Sequence, residues 1–472
     1  EGRWRDGSLV RWHEGSLRPM GGWAARVSSA PYAAAPRGMM AWQDYSLDRW
    51  LSAGTYDTLY VTTAGGATSD ITPVGLTAGT EDAAVNTGYG GGFYGLGFYG
   101  QPRPDAGNYS EASTWSLDTW GQYLVACSSA DGKIYEWQLD TGTPAAAITN
   151  APTGNLGVVV SDDRFIFALG AGGNPRKVAW CDFEDNTIWT AASTNQAGDL
   201  TLQSTGQIMQ GIRANGQTLV LTDQDAHRFT YIGAPYVHQA ERVGTSCGAI
   251  SRKSAAATSG GVFWMGQKGF YRYDGSSVSE VPCEVWDRVY ADRNTAQISK
   301  VWAVSNGQNG EVWWFYPSEG ATECDRYVAY DHIEGHWLIG SLARTAGVDR
   351  GVFRTPVWAS SAGQIYNHET GLNYDGGDVY AETGPFRIGA GDNMAVVTRL
   401  IPDEAALGDV DATFKTRLYP TAAEASHGPY TLGNPTSVRF QGKQIRMRVT
   451  ANPGVDWRVG KFRFDVTQGG KR

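Results

Sequence analysis

A pair of short aromatic-rich segments separated by a turn recurs along the chain, and this repeat restricts the possible folds most strongly. The clearest copy is the run QYLVA at 122–126, a turn at Asp131-Gly132, and the run KIYEW at 133–137. Short apolar runs bounded by Gly and Asp predict β-hairpins. Six such hairpins occur at intervals of 41, 54, 44, 50 and 45 residues. Their first strands centre on Leu124, Phe165, Leu219, Phe263, Trp313 and Trp358.

A repeat of roughly 40–50 residues built from strands is typical of the blades of a β-propeller. The composition agrees: the 472 residues include 61 Gly, 18 Trp, 23 Tyr and 15 Phe, whereas charged residues make up only 18%. Aromatic residues favour strands, and Gly favours the turns between them. We therefore predict an all-β fold with a propeller of six blades, and seven blades as the alternative. The run at 58–62 is the candidate for the seventh blade or for a strand that closes the ring.

Two regions depart from the repeat. Residues 77–113 contain the run GYGGGFYGLGFYG at 88–100, which is too rich in Gly for a stable strand and predicts an insertion at the surface. From about residue 374 the chain alternates with a period of two, which predicts half-buried strands of a separate β-sandwich or barrel. The predicted domains are the propeller at 57–373 and a C-terminal β-sandwich or platform domain at 374–472. They are preceded by an N-terminal segment at 1–56, which we expect to pack on the propeller or on the platform domain.

Charge is distributed unevenly. The net charge is −9, but the last 37 residues contain nine Lys or Arg and two Asp, which leaves −16 for the rest. These basic residues have two equally weighted interpretations: they protect edge strands from aggregation, or they dock on an acidic neighbour such as a second copy of the chain. Contact with nucleic acid ranks third, because most of the chain is acidic. The candidate docking patch consists of Arg439, Lys443, Arg446, Arg448, Arg458, Lys461 and Arg463, with Lys471 and Arg472 beyond it.

Known catalytic and ligand motifs fit the sequence poorly. Residues 95–100 match GxGxxG, but Pro102 follows where a nucleotide-binding helix would have to begin. His332 and His336 lie in a segment typical of a hairpin turn, not of a zinc-binding helix. The Asp box of sialidase-like propellers is absent, and the sequence cannot place two carboxylates at a glycosidase spacing. We therefore expect no catalytic residue, no metal, no cofactor and no enzymatic activity.

Cysteine usage and hydropathy place further limits on the chain. The five Cys are odd in number and form no CxxC pair, so we expect buried thiols in a reducing compartment, not a disulfide scaffold. The sequence contains no run of eighteen apolar residues, and we expect no transmembrane helix and no signal peptide.

Several segments, taken in order, resemble one family. They are Val10 to Trp12, Arg18 to Trp23, Leu59 to Val61, Asp70 to Pro73, Gly269 to Gly275, Glu311 to Pro317, Glu382 to Phe386, Pro402 to Asp403, Trp457 to Gly460 and Gly469 to Arg472. Together they span nearly the whole chain, and the chain resembles the tail nozzle proteins of tailed bacteriophages, also called tail tubular protein B or packaged-DNA stabilisation proteins.

The resemblance implies a structural protein of the virion tail, assembled in the host cytoplasm. It implies a homohexameric ring that continues the DNA channel below the portal and head–tail adaptor, retains the packaged DNA and opens for ejection. Genomic DNA would pass without sequence recognition, and tail fibres or a tail-tip protein are further partners. The alternative is a propeller-type tail protein that binds a host surface or a glycan, and an enzymatic propeller ranks third.

Overall fold

The structure is a computed structural model that describes residues 4–85, 109–214, 216–387, 393–402, 408–451 and 454–470. Regular structure in these ranges is almost entirely β-strand, with one α-helix, α1 (Trp286–Asp292), and two short 3-10 segments, Ala171–Gly173 and Thr295–Lys300. None of the helices described there is long and apolar enough to cross a membrane.

The chain divides into two compact units. The propeller unit comprises Ala25–Tyr327 and Leu342–Tyr366, and the sandwich unit comprises Glu1–Ala24, Val328–Ser341 and Asn367–Arg472. The first four strands of the chain are β1 (Trp4–Ser8), β2 (Val10–His13), β3 (Ser16–Pro19) and β4 (Trp23–Ala25).

Seven four-stranded sheets occur in the described part of the chain, and each is one propeller blade. A two-stranded ribbon lies between the first and second blades. Blade one consists of β5 (Gly38–Gln43), β6 (Arg49–Gly54), β7 (Leu59–Thr63) and β8 (Thr68–Asp70), and the ribbon consists of β9 (Ala84–Val85) and β10 (Tyr109–Ser110). Blade two consists of β11 (Trp115–Trp120), β12 (Tyr123–Ser128), β13 (Ile134–Trp137) and β14 (Ala146–Ala147), and blade three of β15 (Gly157–Val160), β16 (Ile166–Leu169), β17 (Lys177–Trp180) and β18 (Gly198–Thr201). Blade four consists of β19 (Ile208–Ala214), β20 (Gln217–Thr222), β21 (Asp225–Gly233) and β22 (Val237–Thr245).

Blade seven is completed by β4, which comes from the N-terminal part of the chain and pairs with β33 (Ile365–His368), the third strand of the blade. Blade five consists of β23 (Ala255–Thr258), β24 (Gly261–Met265), β25 (Phe270–Tyr273) and β26 (Val278–Val281). Blade six consists of β27 (Trp302–Asn306), β28 (Glu311–Tyr316), β29 (Arg326–Asp331) and β30 (His336–Ser341). The other strands of blade seven are β31 (Ala346–Val348), β32 (Val357–Ala359) and β33.

The seven blades form a closed ring. The first strand of each blade contacts the first strand of the next, and β31 of blade seven contacts β5 of blade one. Apolar residues of adjacent blades pack against each other, as a propeller requires because a single blade cannot cover its own faces. At the closure, Leu51 and Ala53 of blade one share a core with Val357 and Ile365 of blade seven.

The structure shows why the second strand of each blade gave the clearest sequence signal. Strands β16, β28 and β32 are buried at every position, so both of their faces are covered and their sequences are continuous apolar runs. The predicted Asp131-Gly132 turn joins β12 to β13. Gly132 has φ +64°, and an added Cβ would lie 2.6 Å from the Asn155 backbone nitrogen, so the turn requires glycine.

Packing between blades one and two depends on a glycine. The ring of Trp115 is fully buried, and its Nε1 donates to the Thr55 carbonyl oxygen at 2.5 Å. A Cβ on Gly54 would lie 2.3 Å from Cδ1 of Trp115. The indole of blade two therefore packs directly against the backbone of blade one.

The all-β class and the propeller are confirmed, but the favoured number of six blades is wrong, because the described sheets show the alternative of seven. The predicted insertion separates blades one and two, so blade one falls outside the regular repeat. The run at 58–62 is the third strand of that blade, and β5 and β6 precede it. Propeller strands thus begin within the segment 1–56, earlier than the boundary predicted at residue 57. Most of the insertion, residues 86–108, lies outside the described residues.

Two sheets of three or more strands face each other in the sandwich unit, and β2 pairs with β3 in a separate two-stranded sheet. The order in the larger is β1-β34-β39-β36-β37, and in the smaller β38-β35-β40. Their inner faces meet, since the rings of Phe414 and Phe440 stack with centroids 4.5 Å apart. The strands are β34 (Tyr380–Thr383), β35 (Ala395–Ile401), β36 (Val410–Arg417), β37 (Ala425–Thr431), β38 (Thr436–Gly442), β39 (Gln444–Ala451) and β40 (Arg463–Gln468).

The alternation predicted for this region agrees with the burial in the structure. Ile445, Met447 and Val449 of β39 are buried, whereas Arg446 and Arg448 are partly exposed on the opposite face. The expected sandwich architecture of the C-terminal region is thereby confirmed. The sheet also includes β1 from the N-terminal segment, which pairs with β34.

Candidate functional site

The seven basic residues of the predicted docking patch do not form a single surface. Because the two sheets meet through their inner faces, the outward residues of one sheet point away from those of the other. Arg446 and Arg448 lie on the larger sheet, and Arg439 and Arg463 on the smaller. The remaining three lie outside the strands: Lys443 in the turn before β39, and Arg458 and Lys461 in the segment before β40.

One of the two outer surfaces has a dense cluster of charge, which we name the cationic sheet face. It consists of Lys415, Arg417, Arg446 and Arg448 together with the carboxylates Glu382 and Glu424. Antiparallel register brings them together, because Arg446 is paired with Lys415 and Arg448 is paired with Glu382. Residues paired directly across antiparallel strands point to the same side of the sheet.

Glu382 is the centre of this surface. Its side chain is only 4% exposed and forms an ion pair with Arg446, and Lys415 Nζ lies 3.3 Å from Oε2. Arg448 Nη1 lies 4.0 Å from Oε2, and its guanidinium lies 3.7 Å above the ring of Tyr380. Three cations therefore surround one nearly buried carboxylate.

Glu424 is a second acidic partner on this surface. It accepts a hydrogen bond from Arg446 at 3.1 Å and lies 3.8 Å from Arg417. Two further carboxylates lie on the same face: Asp6 is paired with Glu382, and Asp411 alternates with Lys415 along β36. The four cations are concentrated on β36 and β39, and the four carboxylates of the whole face balance their charge.

A second surface, which we name the acidic rim, lies on the propeller unit and was not predicted from the sequence. It is formed by the end of β21 and by loops of blades three and four that connect first to second strands and third to fourth strands. These loops lie at the same end of an antiparallel blade. Its residues are Asp162, Asp163, Phe183, Glu184, Ile188, Tyr231, Ile232 and Tyr236.

Ring contacts join the two blades of the acidic rim. The buried ring of Phe165 lies 5.7 Å from the ring of Phe183 and 5.6 Å from that of Tyr231. Asp162 and Asp163 line a crevice together with Tyr231. The only sequence signal for this surface was the presence of acidic loops next to aromatic strands, and such loops occur elsewhere in the chain as well.

The acidic rim exposes several large apolar side chains. Phe183 is 46% exposed, Ile232 49% and Tyr236 77%. Burial raises the pKa of Asp163, and the neighbouring charge of Asp162 raises it further. Arg164 lies 3.4 Å from Glu184 and compensates part of the negative charge.

Near the propeller axis, the first strands of blades two and four and the segment before blade five bring three charged residues together. Arg213 donates to Oδ1 of Asp118 at 2.8 Å, and the Val160 N–H donates to Oδ2 at 2.8 Å. Burial raises the pKa of Asp118, although the charge of Arg213 opposes this effect. Burial also lowers the pKa of Lys253 to about 8, against the attraction of Asp118.

Ion pairs made by buried cations hold both ends of the segment that contains the insertion. The Lys300 ammonium, fully buried, lies 2.5 Å from Asp82 and 2.7 Å from Glu323, and Arg37 donates to Glu323 at 2.8 Å. Burial acts to raise the pKa of Glu323, but Arg37 and Lys300 outweigh it and lower that pKa.

On the far side of the insertion, the Arg252 guanidinium donates to Glu111 at 3.0 Å. These pairs connect the residues next to the insertion with blades one, five and six.

The other sequence candidates occupy structural positions. His332 lies in the turn between β29 and β30, and His336 begins β30, where its Nε2 is 3.7 Å from Glu334. In the described residues no group of three or more His, Cys, Asp or Glu side chains is arranged to hold a metal ion. All five thiols are free, and four of them are buried.

Comparison with known proteins finds only distant structural likeness. No family model matches the sequence, and no curated protein matches it. Virginiamycin B lyase from Staphylococcus aureus is 9% identical, with 73% of this chain and 97% of that chain covered and a TM-score of 0.43. Exo-β-1,3-galactanase from Phanerochaete chrysosporium is 10% identical, with 95% and 100% covered and a TM-score of 0.32. Neither is a phage tail nozzle protein.

These comparisons contradict the prediction that the chain has no enzymatic activity. Both named proteins are enzymes, a lyase and a galactanase, and we withdraw that prediction. The absence of sequence motifs was a weak argument, because a propeller can bring together residues from separate blades that no local motif records. At these identities and TM-scores the likeness carries no fold, substrate or reaction to this chain, and the propeller rests on the seven sheets themselves.

Proposed function

We propose that this chain is a structural subunit of the tail of a tailed bacteriophage, a tail nozzle protein that assembles with copies of itself into a ring. In this role the ring continues the DNA channel below the portal and adaptor, retains the packaged genome and opens for ejection. The ordered sequence resemblance supports the proposal. The structural observation that carries it is the separation of charge within a chain whose net charge is −9: the basic residues 436–472 belong to the sandwich unit, whereas the acidic rim belongs to the propeller unit.

Acidic and basic residues are concentrated in different segments of the chain. Residues 25–373 contain 22 Lys or Arg and 34 Asp or Glu, whereas the last 37 residues are strongly basic. A chain that carries opposite charges on separate surfaces can bind a second copy of itself head to tail. Repeating one such contact around an axis gives a closed ring. An acidic surface facing the DNA would also limit tight binding of phosphate groups during passage.

Assembly in the presence of the neighbouring tail components tests the proposal. The purified chain is combined with the portal and adaptor proteins of the same phage and examined by electron microscopy and by mass measurement of the intact complex. We expect a ring, with six copies as the predicted number, stacked below the adaptor. A chain that stays monomeric and does not bind the adaptor at any concentration would exclude the nozzle role.

The acidic rim favours a second candidate, a propeller that binds a glycan on the host surface. Exposed aromatic rings can stack on the apolar faces of sugars, and Tyr236 and Phe183 are exposed beside carboxylates that can accept hydrogen bonds from hydroxyl groups. Binding of polysaccharides purified from the host envelope, measured by calorimetry, tests this candidate. Tyr236→Ala is expected to weaken that binding, whereas Tyr419→Ala, which changes an exposed Tyr of the sandwich unit, serves as the control.

A further inference from the structure

We propose that a cavity between blades three and four binds a small ligand that carries a carboxylate and hydroxyl groups, of the class of sugar acids such as a hexuronate. We name this space the interblade cavity. Its lining residues come from the end of β18 and the segment after it in blade three, and from β21 and β22 in blade four. The inference does not depend on the proposed function, because it concerns a single chain and a site separate from the acidic rim.

The antiparallel register of blade four places two polar side chains beside each other in the interblade cavity. His227 is paired with Arg242 across β21 and β22, and Phe229 is paired with Ala240 two residues further along. Residues paired in this way point to the same side of a sheet, and His227, Arg242 and Ala240 all line the cavity. Its volume of about 460 Å³ lies within the range of pockets that hold small ligands.

His227 has one ring nitrogen available to a ligand. Its side chain is only 5% exposed, and its Nε2 lies 3.1 Å from Oδ1 of Asp225. Because a carboxylate only accepts hydrogen bonds, Nε2 carries the proton and Nδ1 carries a lone pair. Among the described residues, no group donates a hydrogen bond to Nδ1. A ligand hydroxyl group at Nδ1 would supply this donor.

The protonation state of His227 suits an acceptor role. Burial lowers its pKa against the opposing effect of Asp225, and the positive charge of Arg242 lowers it further. The imidazole is therefore neutral at neutral pH. Asp225 is itself held in place, because the hydroxyl groups of Ser204 and Thr222 both donate to its Oδ1. The carboxylate thus fixes which nitrogen of the imidazole is protonated and which one accepts.

Arg242 supplies the positive charge of the interblade cavity. It is exposed, and its guanidinium forms no ion pair or hydrogen bond within the part of the chain that the structure describes. The neighbouring carboxylates have other partners, since Glu241 pairs with Arg228 and Asp199 pairs with Lys177. A guanidinium can bind a carboxylate through two parallel hydrogen bonds.

The charge of the cavity wall favours a carboxylate over a phosphate. Arg242 is the one charged residue in the described lining, and His227 is neutral. A carboxylate carries a single negative charge, whereas a phosphate monoester carries about −1.5 to −2 at pH 7 and would leave part of that charge unmatched.

The rest of the wall combines apolar and polar side chains. Leu200, Leu202 and Ala240 can cover the carbon skeleton of a compact ligand. Thr201 and Gln203 are exposed and can form hydrogen bonds with further hydroxyl groups. A mostly apolar wall with a few polar groups is typical of small-molecule sites, and together these features select a monocarboxylate with several hydroxyl groups.

Calorimetric titration with sodium D-glucuronate and sodium D-galacturonate tests the site, with D-glucose as the uncharged control and D-glucose 6-phosphate as the phosphate ligand. We expect saturable binding of at least one hexuronate, and association at least tenfold weaker for the other two sugars. Arg242→Gln should lower the association constant for the hexuronate at least tenfold, because the charge-assisted hydrogen bonds are lost. Arg49→Gln, which changes an exposed Arg of blade one, is the matched control and should bind normally.

A spectroscopic measurement reports on His227 directly. In a chain labelled with nitrogen-15 histidine, the Nδ1 resonance of His227, assigned with His227→Gln, should shift when the hexuronate is added. Thr201→Trp, which fills the cavity from an exposed position of its wall, should abolish both the binding and the shift.

Three results would overturn the proposal: no saturable binding of either hexuronate, equal binding by the unaltered chain and by Arg242→Gln, or a preference for D-glucose 6-phosphate. Binding that leaves the Nδ1 resonance of His227 unchanged would overturn the role of that residue. Assembly of the chain into a ring is unaffected by any of these results, so the proposed function is tested separately.

Discussion

The propeller unit and the sandwich unit present their functional surfaces in different ways. In the sandwich unit, β39 alternates buried and outward residues, so its basic surface is recorded in every second position of one strand. In the propeller unit, the second strands are buried on both faces, and the acidic rim is made by loops of two blades. One surface is encoded locally, and the other exists only after the blades pack. The following predictions test this difference, beginning with the largest expected effect.

Removing the buried cation of the propeller unit should have the largest effect. Lys300→Met removes the hydrogen bonds that the buried ammonium donates to Asp82, Glu323 and the Thr322 carbonyl, and each hydrogen bond of a charged group is worth about 1.5–3 kcal/mol. The free energy of unfolding is measured by denaturant titration. Lys177→Met, which removes an exposed pair with Asp199, should cost about 1 kcal/mol or less. Equal losses in the two variants would contradict the buried role of Lys300.

Acid should destabilise the propeller unit through His238. The residue is 5% exposed among the rings of Phe165, Phe167, Trp180 and Tyr231, and burial lowers its pKa to about 4. The crevice that it lines also contains Asp162 and Asp163.

Because the unfolded chain binds this proton near pH 6.5 and the folded chain only near pH 4, stability falls as the pH drops between these values. The loss is about 3 kcal/mol over the whole range. His238→Phe should flatten this part of the stability curve measured by denaturant titration at several pH values. His13→Gln, in the sandwich unit, is the control and should keep the slope. An unchanged slope in His238→Phe would refute the assignment.

A single methyl group should disturb the packing between blades one and two. In Gly54→Ala the new Cβ meets the buried ring of Trp115, and overpacking of this kind costs about 1–3 kcal/mol. Thermal unfolding measures the loss. Gly65→Ala adds the same group where the nearest atom is 3.9 Å away and should change the midpoint little. A normal midpoint for Gly54→Ala would mean that the two blades can separate without cost.

The smallest effect is expected on the cationic sheet face. Arg448→Gln removes one of three cations around Glu382 and the contact with Tyr380, at a partly exposed site where an ion pair is worth about 1 kcal/mol or less. We expect a small loss in the free energy of unfolding that disappears at high salt, measured by denaturant titration at two ionic strengths. A loss comparable with that of Lys300→Met would instead show that this surface holds the fold together.

Much of the fold could be predicted from short stretches of sequence. Apolar runs such as the one around Phe263 predicted the second strands of the blades, and the alternation through Ile445 and Met447 predicted the sandwich and the outward direction of Arg446 and Arg448. The prediction of one patch of seven basic residues follows their proximity in sequence, whereas the structure distributes them over two sheets, with Arg439 on one and Arg446 on the other.

The sequence alone determined which residues form strands and which side of each strand faces a core, because both follow from the identities of close neighbours along the chain. Tertiary structure alone decided the number of blades, since β4 and β5 join the ring through contacts with strands more than 300 residues away. It also decided the acidic rim, the Arg213–Asp118 pair and the burial of Lys300. A local pattern records the direction of a side chain but not the identity of the residue that comes to lie beside it.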